Sequence, residues 1–255
     1  MFRVTIPARF GSTRLPAKVL APLAGRPLIE HVHRLALRSG AHEVVIATDD
    51  ERVRSACAGF GAEVEMTSAD HPSGTDRIAE VARRRAWADD SIIVNVQADE
   101  PLLPPALIDQ VAGLLAGEPG ADIATLGTPI TATNEYLDPN VVKVVRRGDG
   151  RAMYFSRAPI PWNRDGAPGG LASQQDHRGS SRHIGIYAYR LDALRRLAAA
   201  PPSALEQLER LEQLRALQMG LVIAVADACE KPGPGVDTAA DLAVVERLMA
   251  ACLRP

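Results

Sequence analysis

At 255 residues, 46% hydrophobic and 24% charged, the chain is long enough for one large α/β domain or two small ones and lies outside the weakly hydrophobic, highly charged regime of disorder. Its formal net charge of -2 excludes a global positive field for nucleic acid or an anionic membrane, so any bound anion must be held locally. Cys57, Cys229 and Cys252 show no metal or redox spacing, the N-terminus carries no apolar signal core, and no run nears the roughly 18 apolar residues of a spanning helix, so a soluble, cytoplasmic protein is expected.

In chain order, the β-branched runs Val4–Ile6, Val44–Ala47, Val64–Met66 and Ile92–Val96 read as strands. Between them lie helical patterns. Pro27 stands at a first-turn position, and Leu28, Ile29, Val32, Leu35 and Ala36 recur at helical spacing until Gly40. Further helices are expected near 50–59, 74–87 and 104–116. Alternation of this kind implies right-handed crossovers and a doubly wound, mostly parallel, Rossmann-like α/β sheet.

After Pro129 the pattern changes, and Val141–Arg146 and Met153–Ser156 flank a Gly148-Asp149-Gly150 turn, which predicts a β-hairpin. Asn163–Ser181, rich in Gly, Ser, Pro and charge, is expected to be a long loop and a candidate lid. His183–Tyr189 is a further strand. Leucines at 205, 208, 211, 214 and 217 keep a three-residue spacing that drifts around a 3.6-residue helix, which argues against a coiled coil over 203–218. A strand at Leu221–Ala226 and a helix over about 238–249 close the reading.

Three segments carry chemistry. After strand one, Ile6-Pro7-Ala8-Arg9-Phe10-Gly11-Ser12-Thr13-Arg14-Leu15-Pro16-Ala17-Lys18 brings three cations to the carboxyl edge of the sheet, where open α/β folds bind ligands. Such a cluster suits a triphosphate; the plainer alternative is a solvated basic loop. It is neither a Walker A motif nor the G-x-G-x-x-G of a dinucleotide fold. Next, Asn95-Val96-Gln97-Ala98-Asp99-Glu100-Pro101 ends an apolar strand in acids, so Asp99 is a candidate Mg²⁺ ligand, while Glu100 competes as a helix cap. Last, Gly233-Pro234-Gly235-Val236-Asp237-Thr238 stiffens the backbone before Asp237, which by itself reads best as a cap.

Together with Asp70-His71-Pro72-Ser73-Gly74-Thr75-Asp76-Arg77, these segments closely resemble the CMP-Kdo synthetases, the 3-deoxy-manno-octulosonate (Kdo) cytidylyltransferases of lipopolysaccharide assembly. The resemblance runs in order from Ile6 to about Leu242: IPARFGSTRLPAK, VIATDD, ADHPSGTDRIAEV, IIVNVQADEP, NVVKVV, YFSRAPIPW, RHIGIYAYR, LEQLERLEQLRAL and PGPGVDT. It implies transfer of CMP from CTP to Kdo with release of pyrophosphate, a Mg²⁺ cofactor, and a homodimer. It implies nucleotide contacts from Ala8, Arg9, Ser12, Arg14, Lys18, Ser73, Gly74 and Arg77, with Lys18, Arg9 and Asp99 catalytic and Asp99 and Asp237 holding the metal. Sugar contacts would come from Gln97, Arg157, His183, Tyr187, Glu209 and Gln213. The expected organisation is a single domain over 1–255, with 1–129 mainly CTP-binding and 130–220 mainly sugar-binding and dimerising through the Ala158–Trp162 stretch. Ala98 departs from the family's glycine, so the backbone there is expected to approach the ligand less closely or not to need glycine. The alternatives are a cytidylyltransferase for an 8-amino-Kdo analogue or a sialic acid, and a non-catalytic nucleotide-binding module.

Overall fold

The computed structural model describes residues 1–12 and 14–252; Thr13, within the first basic loop, lies outside the described residues. The expected early alternation is present. Strand β1 (Phe2–Pro7) leads through a short 3-10 turn (Lys18–Leu20) and the small ribbon β2 (Pro22–Leu23) and β3 (Arg26–Pro27) into helix α1 (Leu28–Ala36). Then follow β4 (Glu43–Thr48), α2 (Glu51–Ala58), β5 (Glu63–Met66), α3 (Gly74–Arg84), β6 (Ile92–Asn95) and α4 (Pro105–Gly117). The helices start where capping chemistry allows. Asp50 accepts the Arg52 amide, and Ser73 forms a reciprocal capping box with Asp76.

The second half holds three elements that the apolar pattern does not announce: β7 (Ile123–Pro129), α5 (Thr133–Leu137) and α6 (Leu191–Ala199). Between α5 and α6 lie the expected hairpin, β8 (Lys143–Arg146) with β9 (Ala152–Ser156), and the long strand β10 (Ser181–Arg190). The 203–218 segment is not one helix. It breaks into α7 (Ala204–Glu209) and α8 (Gln213–Gln218), with Arg210 left-handed at φ 54° between them. That break resolves the leucine drift, because Leu211 and Leu214 are buried while Leu208 is 80% exposed. Strand β11 (Ile223–Asp227) and helix α9 (Ala239–Cys252) end the described chain. Among the described residues, no helix is long and apolar enough to cross a membrane.

The main sheet runs β11-β7-β10-β6-β1-β4-β5. Its β11/β7, β6/β1, β1/β4 and β4/β5 pairs are parallel, whereas β10 enters the middle antiparallel to both β6 and β7. The N-terminal end of β10 also carries the hairpin through β8. Apolar clusters fill both faces: Ile6, Ile29, Val94, Leu107 and Ile186 on one, Val45, Ile78, Phe155, Leu194 and Ile223 on the other. Double-sided burial explains why these strands read as continuous apolar runs. Cys57 is part of this core, and burial pushes its thiol up to about 12, which removes it from thiolate chemistry.

Candidate active site

The carboxyl ends of β1 and β6 open into a cavity of about 310 Å³, lined by Arg9, Ser12, Arg14, Lys18, His71, Ser73, Gly74, Arg77, Gln97, Ala98, Asp99 and Asp237 among others. Ala8, on the same loop, is buried and its amide donates to Ala47 O at 2.8 Å, which fixes the loop's exit from β1. Ala17, immediately before Lys18, is left-handed at φ 52°. For a residue with a β-carbon this costs on the order of 1 kcal/mol, and such strain persists where surroundings demand it.

Lys18 is the centre of the ion pairs. Its Nζ lies 2.6 Å from Asp99 Oδ2 and 3.1 Å from Asp237 Oδ1, and Arg14 Nη2 donates to the same Asp237 oxygen at 3.0 Å. Burial alone would lower the Lys18 pKa, but the two carboxylates raise it. Asp237 reaches this point because its turn docks on the Asp99 turn, with Val236 N donating to Asp99 O at 2.8 Å. The turn is tight at Gly235, where a β-carbon would sit 2.8 Å from Glu100 Oε1 and 3.2 Å from Asp99 O.

The cap readings are answered by the same contacts. Thr238 Oγ1 accepts the Asp241 amide at 3.2 Å while Asp241 Oδ2 accepts the Thr238 amide at 2.8 Å, so Thr238 and Asp241 cap α9 and the Asp237 carboxylate is left to the cavity. Glu100 caps nothing either, because Pro104 stands at the N-cap of α4 with no side-chain bond. Burial, then the Asp99 charge, push the Glu100 carboxyl up to about 7. Ala98 does not adopt positive φ, so its methyl group is accommodated where a glycine is usual.

Arg77 faces the cavity from α3 but is pinned: its guanidinium donates to Thr67 Oγ1 and, at 2.8 Å, to Asp49 Oδ2. It thereby ties the loop after β5 to the first turn of α3, whose capping residue Ser73 and Gly74 line the same wall. Gly74 is close-packed, since an added β-carbon would stand 3.2 Å from Pro7 Cγ.

Gln97 also lines a second, smaller cavity of about 180 Å³, with Thr75, Asn95, Ile123, Tyr187, Tyr189, Leu197, Glu212 and Gln213. An aromatic row along one face of β10 leads to it. Ring centroids are 5.1 Å apart for Phe155 and His183, 5.2 Å for His183 and Tyr187, and 5.7 Å for Tyr187 and Tyr189. A register shift between Ile184 and Tyr187 interrupts the ladder, and Thr125 Oγ1 fills the gap, 2.7 Å from Ile186 O and 2.9 Å from His183 Nε2. A hydroxyl has one proton, so if it goes to the carbonyl, His183 Nε2 is the donor to Thr125. Burial lowers His183 to about 3 and raises both tyrosines, so all three rings are neutral.

Two buried acceptors in this second cavity, Asn95 Oδ1 and Glu212 Oε1, have no hydrogen-bond partner among the described residues. Glu212 Oε1 lies 3.4 Å from Arg215 Nη2, within ion-pair range, and burial raises the Glu212 pKa. Orphaned acceptors beside aromatic walls suit a ligand rich in hydroxyl donors.

Of the residues expected on the sugar side, Gln97, Tyr187 and Gln213 line this cavity. Arg157, His183 and Glu209 do not. Arg157 was expected at the sugar, yet its Nε donates to Glu209 O at 2.7 Å and its Nη1 to Pro139 O at 2.9 Å. Glu209 was expected beside Gln213 at the sugar. The break at Arg210 separates them, and Glu209 accepts from Ser156 Oγ at 2.6 Å and the Arg157 amide at 2.8 Å. Glu206 pairs with Arg215 at 3.1 Å. His183 is held in the aromatic row next to the cavity wall. The expected lid also stands apart: Pro161, Trp162, Asn163, Asp176 and Arg178 line a separate hollow, and Thr133 Oγ1 donates to Gln174 O at 2.8 Å, tying the loop to α5.

Sequence reasoning missed His71, Thr75, Asn95, Tyr189 and Glu212. All five stand inside quoted motifs, and the leucine spacing that argues against a coiled coil over 203–218 gives no sign of the break at Arg210. Among the described residues, no group of three or more His, Cys, Asp or Glu side chains is arranged as a metal centre. Asp99 and Asp237 nevertheless converge on Lys18 Nζ, so their carboxylates stand close enough to share a divalent cation.

Residues 4–223 match the family described as cytidylyltransferase. The chain is 55% identical over 246 residues to a 3-deoxy-manno-octulosonate cytidylyltransferase of Halorhodospira halophila, covering 96% of each. It is 54% identical over 250 residues to the enzyme of that name from Thioalkalivibrio sulfidiphilus, covering 98% of this chain and 99% of the other. A solved structure described as CMP:2-keto-3-deoxy-manno-octonic acid synthetase complexed with CTP superposes with a TM-score of 0.89 at 41% identity, covering 98% of this chain and 99% of that one. A cytidylyltransferase from Leptospira borgpetersenii shares the fold alone, at 17% identity and a TM-score of 0.64, with 99% of this chain and 88% of that one covered.

Proposed function

The chain belongs to the cytidylyltransferase family, and from that premise we propose that it transfers CMP from CTP to 3-deoxy-manno-octulosonate, forming CMP-Kdo and pyrophosphate for lipopolysaccharide biosynthesis. The observation that carries this reading is the pair of unlike cavities sharing Gln97, one cationic with two converging carboxylates, the other aromatic with orphaned acceptors. The first suits a nucleoside triphosphate and the second a polyhydroxylated acid.

In the reaction the anomeric hydroxyl of the sugar acid attacks the α-phosphorus of CTP. One P–O bond forms as the hydroxyl proton passes to solvent, the bond from the α-phosphorus to the bridging oxygen of the β-phosphate breaks, and pyrophosphate departs. Arg9, Ser12, Arg14 and Lys18 grip the phosphates and offset the charge that builds on the leaving group. Ser73 and Gly74 present the start of α3 to the nucleotide, with Arg77 holding that turn in place. Gln97 touches both substrates from the wall between them. Glu212, Asn95, Thr75 and Gln213 receive the sugar hydroxyls, and Tyr187 and Tyr189 exclude water. No essential general base is assigned, since positioning and electrostatics supply most of the acceleration in such transfers. Asp99 and Asp237 would hold Mg²⁺, whose chemistry is to neutralise phosphate charge and align the triphosphate.

Residues 1–129 serve mainly CTP and 130–220 mainly the sugar and a homodimer contact. Exposed apolar Met153 and Trp162 in the second region support that contact. A cytoplasmic location follows from the use of CTP. The deciding experiment is pyrophosphate release from CTP, Kdo and Mg²⁺, with 8-amino-Kdo, a sialic acid and UTP as alternative substrates. Release that is fastest with CTP and Kdo is expected. Preference for another acid would reassign the substrate, and no release with any pair would leave a nucleotide-binding module.

A further inference from the structure

The loop after β5 returns to α3 through one buried carboxylate. Glu80, 8% exposed and two turns into α3, accepts the Ser68 amide at 2.8 Å through Oε2, and the same oxygen lies 2.6 Å from His71 Nε2. Its other oxygen accepts Arg84 Nε at 2.8 Å. His71 in turn lines the larger cavity beside Ser73, Gly74 and Arg77. From this geometry we infer that Glu80 is a positioning residue for the nucleotide: it fixes His71 so that the second ring nitrogen accepts a hydrogen bond from the nucleoside half of CTP.

The argument is one of proton counting. Burial works against ionisation of Glu80, but the Ser68 amide, His71 and Arg84 bring its carboxyl down to about 2, so it is an acceptor only. His71 Nε2 must therefore carry the proton that points at Glu80. On the neutral ring Nδ1 is then an acceptor, with no donor to it among the described residues; a ring protonated beside Glu80 would instead donate from Nδ1 to a phosphate oxygen, an outcome that the nucleoside analogues below separate. Phosphate oxygens are acceptors and cannot use a second acceptor. The nucleoside offers donors of two kinds, the exocyclic amine of cytosine and the ribose hydroxyls. Carboxylate partners fix metal-bound histidines by the same logic, orienting the ring and choosing its tautomer.

This inference rests on the larger cavity being the CTP site, and calorimetric CTP binding to the unaltered protein tests that separately. If the unaltered protein does not bind CTP, the reading of the cavity fails. If it does, His71→Ala and Glu80→Gln should each weaken CTP binding by about tenfold, the size of one lost hydrogen bond, with the sugar KM unchanged. The double variant should be no worse than either single one, because both remove the same contact. Glu80→Gln that lowers only the Tm, with His71→Ala binding CTP normally, would overturn the proposal and leave Glu80 a structural staple. The His71→Ala penalty should vanish with UTP if the amine is the donor, or with 2′-deoxy- or 3′-deoxy-CTP if a hydroxyl is. A penalty that persists with all three analogues would also overturn it.

Discussion

The two cavities solve the problem of holding a polar ligand in opposite ways. In the larger one, charge is balanced before any ligand arrives: Lys18 and Arg14 are matched against Asp99 and Asp237 at contact distance. In the smaller one the polar atoms are only loosely held, with Asn95 Oδ1 buried without a hydrogen-bond partner among the described residues and Glu212 Oε1 answered by Arg215 Nη2 alone, at 3.4 Å. The first arrangement keeps a dense set of like groups stable in the free protein, and the second spends stability so that the arriving hydroxyls have the most to gain. Substitutions in the two places should therefore differ in kind.

The largest effect is expected at Asp237. Asp237→Asn removes one of the two converging charges while keeping the side-chain size, and turnover should fall by about 10²–10³-fold. Thr238 and Asp241 still cap α9, so the Tm should move little. A variant with near-normal turnover would remove Asp237 from the reaction and erase the contrast between the cavities.

Glu212→Met should act on the other cavity alone. Loss of its acceptor should raise the sugar KM by roughly tenfold or more while CTP binding is unchanged, and any fall in Tm should be small, because Arg215 keeps Glu206 at 3.1 Å when it loses Glu212. Lower stability with an unchanged sugar KM would make Glu212 a partner of Arg215 and nothing more. Kinetics with each substrate varied in turn, alongside a melting curve, make the distinction.

The smallest effect belongs to His183. Its folded pKa is depressed to about 3 from an ordinary 6.5, so below pH 6.5 the unfolded chain takes up a proton that the native state refuses. The stabilisation is fully present above pH 6.5 and is lost as pH falls from there toward 3. Urea midpoints for the wild type and His183→Gln at pH 7 and pH 5 should show a smaller acid loss in the variant. Equal losses would mean that His183 is not held neutral by the aromatic row.

The larger cavity was legible because its groups sit in short, contiguous motifs at strand ends, and a doubly wound sheet brings strand ends together. Arg9, Ser12, Arg14, Lys18, Ser73, Gly74, Arg77, Asp99 and Asp237 all line it. The smaller cavity was less so. Its walls come from α3, β6, β10 and the start of α8, and which face of 203–218 turns inward depends on a left-handed Arg210 that no turn residue announces. The family resemblance nominated Glu209 there, and Glu212 went unnamed. Likewise nothing local shows that Glu209 O and Pro139 O claim the Arg157 guanidinium. β7 went unnamed for a similar reason: its apolar run, Ile123–Leu126, is too short for periodicity to separate it from its surroundings.

Strand β10 has a further consequence, for how the chain can be assembled. It fills the middle of the sheet between β6 and β7, yet in sequence it follows both of them and the whole hairpin. As the chain leaves the ribosome, β6 and β7 are finished while the strand that belongs between them has not been made. Until then each presents an open edge with unpaired backbone groups, a template for wrong partners. The sheet therefore closes late, through contacts of long sequence separation that slow folding. An excised piece covering residues 1–129 would carry every β1 and β6 loop of the nucleotide cavity and still lack the strand that joins its two halves.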